Sequence, residues 1–368
     1  MNVARIAVDA RPLCHPGTGI YRYTMELLTR MVRMGGEWFL YSPQAYDNSA
    51  FELPNVHHCS AAIPPAFRAS QLAQLYFPRW ARRDRVQVLW GPRHQLPLLL
   101  SGDIRTVVTI HDLVWKAFGD TMRFPGRQIE NFFTPRSLAR ADVIAVVSRF
   151  TADELSRHFP QYAHKVILVP GASMLQARSA DFSPDEGKER YFLFVGTMEP
   201  RKNLPRLVRA FARYVAAEPA GLHLKVVGGQ GWGGEDIGAL AAQLGISHRV
   251  QFLGRVNDER LGALYRDAYA LLMPSLYEGF GLPVVEALSQ GIPVITSRSS
   301  AMSEAAGEGS AEPAGIFVNP LAEEEIYQAM ADMGNDRERY ARLQAASGPA
   351  VSRYDWDRSA ATMAGLLL

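Results

Sequence analysis

The sequence predicts an α/β protein built from two Rossmann-like, parallel-sheet domains. Three observations carry this. The chain has 368 residues, more than one ordinary hydrophobic core organises. Short apolar runs alternate with longer amphipathic segments along almost its whole length, as when parallel strands are covered by helices. The alternation stops once, between 171 and 190, where Ser, Asp, Pro and Gly gather without periodicity, as in a linker.

In the first half, residues 6–8 form a strand and 21–34 a helix. Strand 38–41 follows, then helix 72–83 and strands 86–90 and 106–110. Helix 128–140, strand 143–147, helix 151–159 and strand 166–169 complete it. After the linker the rhythm restarts with strand 191–195, which ends in Gly196, and helix 204–216. Strand 224–227 is closed by Gly228-Gly229. Helix 237–244, strand 250–253, helix 258–266, strand 269–273 and helix 282–290 come next. Strands 294–296 and 315–318 precede helices 323–333 and 337–346. Tyr354-Asp355-Trp356 opens a last helix that can return to the first domain. The simplest division is therefore a first domain over 1–172, a second over 173–350, and a crossover helix over 351–368, with a cleft between the domains. His57 and His58 fall in a Pro-flanked loop and receive no role.

Composition narrows the function classes. Hydrophobic residues make up 48% and charged residues 21%, as in soluble globular proteins. The net charge of +2 hides a local imbalance: residues 61–140 hold twelve Lys/Arg against five Asp/Glu. That excess is either a solvated basic face or a surface for an anionic substrate or lipid head groups. The two cysteines, Cys14 and Cys59, indicate neither a disulfide framework nor a metal cluster, and fit a reducing compartment. The first ten residues lack a signal-peptide core, and no apolar run approaches the ~18 residues of a membrane span. A cytoplasmic protein is expected, with peripheral contact at the inner face of the membrane as an option. No nucleic-acid motif accompanies the basic excess.

Four motifs carry chemistry. Pro16-Gly17-Thr18-Gly19-Ile20 follows the first strand and precedes a helix, where glycines admit a ligand and helix amides face an anion. The full dinucleotide pattern is not met, and no acid closes the second strand at Tyr41-Ser42, which argues against NAD. His111-Asp112 ends strand 106–110. It reads as a cleft-facing histidine or as a satisfied structural one. No Ser/His/Asp set or H-E-x-x-H pattern supports a hydrolase.

The third motif is Gly196-Thr197-Met198-Glu199-Pro200-Arg201-Lys202-Asn203. Cations at a helix start oppose the helix dipole by a few tenths to ~1 kcal/mol each, unless an anion sits between them. A diphosphate would supply it. The fourth is the most specific: Glu278 and Glu286 bracket Gly-Phe-Gly-Leu-Pro at a strand end. The amides of Phe280, Gly281 and Leu282 stand at the helix start. Glu286 lies about 6 Å along the axis from them. One acid can reach a sugar and the other a ribose.

Taken together, Glu278-Gly-Phe-Gly-Leu-Pro-Val-Val-Glu286 resembles the E-x7-E motif of retaining GT-B glycosyltransferases of glycosyltransferase family 4. The glycine loop at 17–23, His111-Asp112-Leu113, Ser148-Arg149-Phe150-Thr151, the Gly196–Asn203 segment and Tyr354-Asp-Trp-Asp match further family positions in order, over nearly the whole chain. The resemblance implies that Glu278 contacts the transferred sugar and Glu286 the ribose. Arg201 and Lys202 neutralise the leaving diphosphate, and Gly19 approaches the same phosphates from the other domain. His111 stands near the reacting sugar. Many relatives carry Arg where this chain has Thr197, so Arg201 is expected to take over that charge.

No carboxylate is placed as a nucleophile on the opposite sugar face. No Asp-x-Asp metal motif appears at a strand end either, so no metal or other cofactor is expected. Arg201, Lys202 and helix N-termini would stabilise the leaving group. The variant looks most like bacterial mannosyl- or rhamnosyltransferases of surface polysaccharide assembly. The implied partners are GDP-mannose or another nucleotide hexose and a polyprenyl-linked or oligosaccharide acceptor. The segment 67–90, with Tyr76, Phe77, Trp80, Arg82, Arg83 and Arg85, could rest on anionic lipid. A GT-B phosphorylase or epimerase, and a non-catalytic nucleotide-sugar binder, are the alternatives.

Overall fold

The computed structural model describes residues 3–60, 69–175 and 190–368. Most of the expected linker (176–189) and Phe67 lie outside the described residues. Those described divide into two compact units. The first takes residues up to Lys116, Phe124–Gly171 and Asp355–Leu368; the second takes Ala117–Arg123 and Ala172–Tyr354.

The first unit is a seven-stranded sheet: β1 (Arg5–Asp9), β2 (Glu37–Ser42), β3 (Val56–Ser60), β4 (Val88–Gly91), β5 (Arg105–Ile110), β6 (Val143–Val146) and β7 (Val166–Leu168). Their order is β3-β2-β1-β4-β5-β6-β7, and all pairs are parallel. The order reverses between β1 and β4, so a crevice opens outside their carboxyl ends. Ile6, Ala7 and Val8 are buried on both faces, as the continuous apolar run of a covered parallel strand requires.

Three expectations change here. His57 and His58 lie on β3, not in a loop. β3 is an edge strand in which only Val56 is buried, so the sequence shows no apolar alternation. His57 stacks on Phe39 at 4.8 Å and faces Glu37 at 2.6 Å. In helix Ala69–Arg83, Phe77 is buried and stacks on Trp80. It belongs to the core, and among the described side chains there Leu75 and Tyr76 are exposed. The helix expected over 21–34 starts earlier, at Gly19, because Thr18 caps it by accepting from the Tyr21 amide at 3.1 Å.

The final helix, Trp356–Leu367, is capped by Asp355 and packs on helix Gly19–Met31. Trp356 meets Tyr23 at 6.0 Å and Asp357 pairs with Arg30 at 2.6 Å.

The second unit holds β8 (Tyr191–Val195), β9 (His223–Val227), β10 (Val250–Gly254), β11 (Ala268–Met273), β12 (Val294–Ser297) and β13 (Gly315–Val318), in the order β10-β9-β8-β11-β12-β13. All are parallel. The switch point lies between β8 and β11, the strands that carry the third and fourth motifs. Helix Leu204–Ala217 buries Leu204, Leu207, Val208, Phe211 and Tyr214, one face at helical spacing. Ala117–Arg123 joins this unit because Phe118 packs on Tyr277 at 5.6 Å and the Thr121 carbonyl accepts the Trp232 indole N–H at 3.0 Å.

Candidate active site

Two adjacent strand ends build the site. After β8 the chain passes Gly196, makes a 3-10 turn at Pro200–Lys202 and enters helix Leu204–Ala217 through Asn203, which is left-handed at φ 61°. The Asn203 side-chain Nδ2 donates to the carbonyls of Pro274 (2.9 Å) and Pro320 (2.7 Å), and the Leu276 N–H donates to the Arg201 carbonyl at 2.7 Å. These bonds fix the β8 loop against the loop that leaves β11. Thr197 is half-buried on the same turn. From sequence Asn203 closes the third motif but has no role of its own. Its signal was an Asn directly after two cations, at a helix start whose geometry favours a short amide.

The loop after β11 delivers Glu278 between the two cations. One carboxylate oxygen contacts Lys202 Nζ and the other Arg201 at 2.7 Å. Arg201 also pairs with Glu199 at 2.6 Å and donates to the Tyr277 carbonyl at 3.1 Å. Glu278 and Lys202 are buried. Burial pushes the Glu278 carboxyl up, but Arg201 and Lys202 outweigh it and hold it at about 2. For Lys202, burial pushes down and Arg201 adds to that, while Glu278 opposes. The net is below the usual lysine value.

The sequence posed two cations that needed an anion between them. In this structure that anion is the chain's own Glu278. The two cations are thereby joined in a charge triad, with Lys202 and Glu278 buried and Arg201 half-buried.

Glu286 follows on the helix after that loop. It is buried in helix Leu282–Ser289, and its carboxylate accepts from the Tyr265 hydroxyl at 2.9 Å. Gly281 caps that helix at φ 86°, and a Cβ there would lie 2.6 Å from Met302 Cγ, so glycine is required. The helix bonds begin with the Val284 N–H donating to the Gly281 carbonyl. The amides of Phe280, Gly281 and Leu282 thus precede the ladder.

The first unit carries the remaining candidates. Gly17 takes φ 83°, and both Gly17 and Gly19 face open space. His111 follows β5. Its Nε2 lies 2.7 Å from the Pro92 carbonyl, which can only accept, so Nε2 holds the proton. Donation from Nε2–H to a substrate hydroxyl would have to replace that bond. The His111 amide donates to His94 Nε2 at 2.9 Å, and His94 Nδ1 faces Glu130 at 3.3 Å. His94 and Glu130 were not singled out from sequence; only their fold neighbours bring them together. Burial pushes His94 down and Glu130 more than reverses it. Protonating Nε2 would nevertheless break the bond from the His111 amide, so this geometry holds the neutral Nδ1–H tautomer.

Burial lowers His111 to about 3. A folded value below 6.5 means its contribution to stability is complete above about pH 6.5 and is lost as pH falls towards 3. His111 is therefore expected to stay neutral between pH 5 and 8. Its ring resonances should show no titration above pH 5 by NMR. An inflection near 6.5 would contradict the buried geometry.

Among the described residues, no group of three or more His, Cys, Asp or Glu side chains could hold a metal ion, and no helix is long and apolar enough to cross a membrane.

Comparison with known proteins follows this division of the chain. Residues 17–172 match the family described as Glycosyltransferase Family 4, and residues 177–347 that described as Glycosyl transferases group 1. The O-antigen chain mannosyltransferase B of Escherichia coli is 29% identical over 343 residues, covering 86% of this chain and 87% of that protein. The O-antigen chain mannosyltransferase RfbU of Salmonella typhimurium is 24% identical over 361 residues, covering 95% and 96%. A D-inositol 3-phosphate glycosyltransferase of Rhodococcus opacus is 29% identical over 293 residues, covering 76% and 62%. The solved structure of Anabaena Alr3699/HepE in complex with UDP and glucose matches the fold with a TM-score of 0.73 at 17% identity, covering 100% of this chain and 99% of that one. The two family matches meet near residue 175, where the two parallel sheets also divide, and the chain belongs to the family 4 glycosyltransferases of GT-B fold.

Proposed function

We propose that the protein transfers a hexose from a nucleotide sugar to an oligosaccharide or polyprenyl-linked acceptor in surface polysaccharide assembly, with retention and without a metal. Mannose from GDP-mannose is the donor to try first, because two relatives that span most of the chain are named O-antigen mannosyltransferases. The observation that carries the reading is Glu278 held between Arg201 and Lys202 at the β8/β11 strand ends. An arriving diphosphate competes for the two cations. They are then placed to stabilise the leaving group, with Glu278 released towards the sugar hydroxyls. Glu286, next to Tyr265, would hold the ribose, and the amides of Phe280, Gly281 and Leu282 would meet phosphate or sugar oxygens. Gly17, Gly19 and His111 keep the roles that the resemblance implies. Leu75, Tyr76 and Leu99 are exposed in the first unit, and Arg79 and Arg82 are exposed near them in sequence. These support peripheral contact with an anionic membrane.

A thermal-shift series with GDP, UDP, ADP and their sugars tests the donor site. At 100 times Kd a ligand adds about 2.7 kcal/mol, a readily measured rise in Tm. Glu286→Ala should reduce the shift from nucleotide while leaving the protein folded. Absence of a shift with any of the nucleotides would sink the donor site. Phosphate-dependent release of a sugar phosphate, or epimerisation without an acceptor, would replace transfer with one of the alternatives named from sequence. Binding without turnover across acceptors would point to a non-catalytic binder.

A further inference from the structure

The first unit carries a second pair of cations that the donor site does not use. Arg11 follows β1 and Arg93 follows β4, the neighbours between which the strand order reverses. Val8 pairs with Trp90 in that ladder, so the two strand ends leave the sheet side by side. Open parallel sheets bind ligands at this point.

Arg11 is only 2% exposed. Asp9 grips one edge of its guanidinium: Nε lies 2.8 and 3.0 Å from the two carboxylate oxygens, and Nη2 lies 2.5 Å from Oδ2. The Arg11 amide also donates to Asp9 at 3.1 Å. The group is planar, so gripping that edge aims Nη1 away from Asp9. Nη1 is buried and has no hydrogen-bond partner. Orphaned buried donors are uncommon in folded proteins.

Arg93 deepens the anomaly. Burial and then the Arg11 guanidinium disfavour its charged form. The carboxylates that act on it, Asp9 and Glu130, are already engaged. Asp9 holds Arg11, while Glu130 faces His94 and accepts the Thr134 hydroxyl at 2.5 Å. Gly91 lets the Arg93 loop fold tightly over the strand end, since a Cβ there would stand 2.6 Å from the Gln95 carbonyl. Two guanidiniums on adjacent strand ends, one pre-oriented by a carboxylate and presenting an unused N–H edge, form an arrangement suited to a phosphate.

We propose that Arg11 and Arg93 form an anion subsite at the β1/β4 switch point that takes a phosphate group of the acceptor. Asp9 is the positioning residue that sets the Arg11 edge. Assigning the phosphate to the acceptor rests on the proposed transfer reaction, whereas the anion subsite itself does not.

The test is a thermal-shift titration of the full chain with inorganic phosphate at constant ionic strength, with chloride as the reference salt. The wild type is expected to gain stability saturably with phosphate. Arg93→Gln should raise the apparent Kd for phosphate at least tenfold and leave the response to nucleoside diphosphate unchanged. If Arg93→Gln does not fold, Arg93→Lys replaces it, since it keeps the charge but loses the fork. It should still weaken phosphate several-fold.

Titrations with mannose 1-phosphate and with a short-chain prenyl diphosphate separate the two sources of the group, a soluble sugar phosphate and a lipid carrier. Tighter binding of either than of inorganic phosphate, lost with Arg93, supports the subsite and names its source. A folded Arg93 variant that binds phosphate like the wild type overturns the proposal. Loss of the nucleotide response with phosphate binding intact would strike the donor reading instead.

Discussion

Glu278→Gln is expected to lower sugar transfer by about 100-fold or more, the size of effect seen when a polar group aimed at the reacting centre is removed. Binding of bare nucleoside diphosphate should persist or tighten in the same variant. In this structure Glu278 occupies the two cations that the diphosphate needs, so the amide removes a competitor. A turnover assay beside a nucleotide titration separates the two effects. Full activity in the variant would overturn the role given to Glu278.

The substitution should also reduce stability by about 3 kcal/mol, near the lower end for breaking a buried ion pair, because the amide oxygen still accepts a hydrogen bond. The pH dependence has a definite sign. The folded carboxyl is held at about 2, below its usual value near 4.5. Its stabilisation is therefore complete above about pH 4.5 and fades as pH falls towards 2. The Tm difference between wild type and variant should narrow over that window. A gap that stays constant down to pH 2 would mean the triad does not hold the charge as described.

Gly228→Ala is expected to cost about 2–4 kcal/mol and to weaken nucleotide binding with it. Gly228 takes φ 145°, and an added Cβ would stand 1.9 Å from the Gly196 carbonyl oxygen. Neither backbone can yield easily. The Gly228 N–H donates to Gly254 at 2.9 Å and the Gly196 N–H to Val227 at 2.9 Å. The clash would push on the turn that carries Thr197, Arg201 and Lys202. Gly245→Ala is the control: it takes φ 71° with open space around it, and should cost about 1 kcal/mol through its backbone alone. Thermal melts of both variants check this. Equal losses would show that the contact with Gly196 does not matter.

From sequence the glycine pair 228–229 closes strand 224–227. Its position was right, but its tightness was invisible. Nothing in a single chain segment says that a neighbouring carbonyl comes within reach of a missing Cβ. The same limit applies to β3. Val56–Ser60 pairs in parallel with β2, and its exposed histidines leave no hydrophobic period to detect. Phe77 and Tyr76 are adjacent aromatics in one helix, yet one is core and the other surface, because the helix turns Phe77 towards Tyr41 of β2.

By itself the sequence determined the two parallel-sheet halves, the strand ends that carry Gly196–Asn203 and Glu278–Glu286, and the two acids and two cations as the charged groups of the site. Those features depend on local periodicity and on short turns whose residues lie within one segment. Only the tertiary structure decided which charges meet. Glu278 is 76 residues from Lys202, and the parallel pairing of β8 with β11 closes that distance. The same holds for His94 with His111 and for Arg11 with Arg93. Each pair joins segments that only the strand order makes neighbours, and burial then turns their proximity into strong electrostatics.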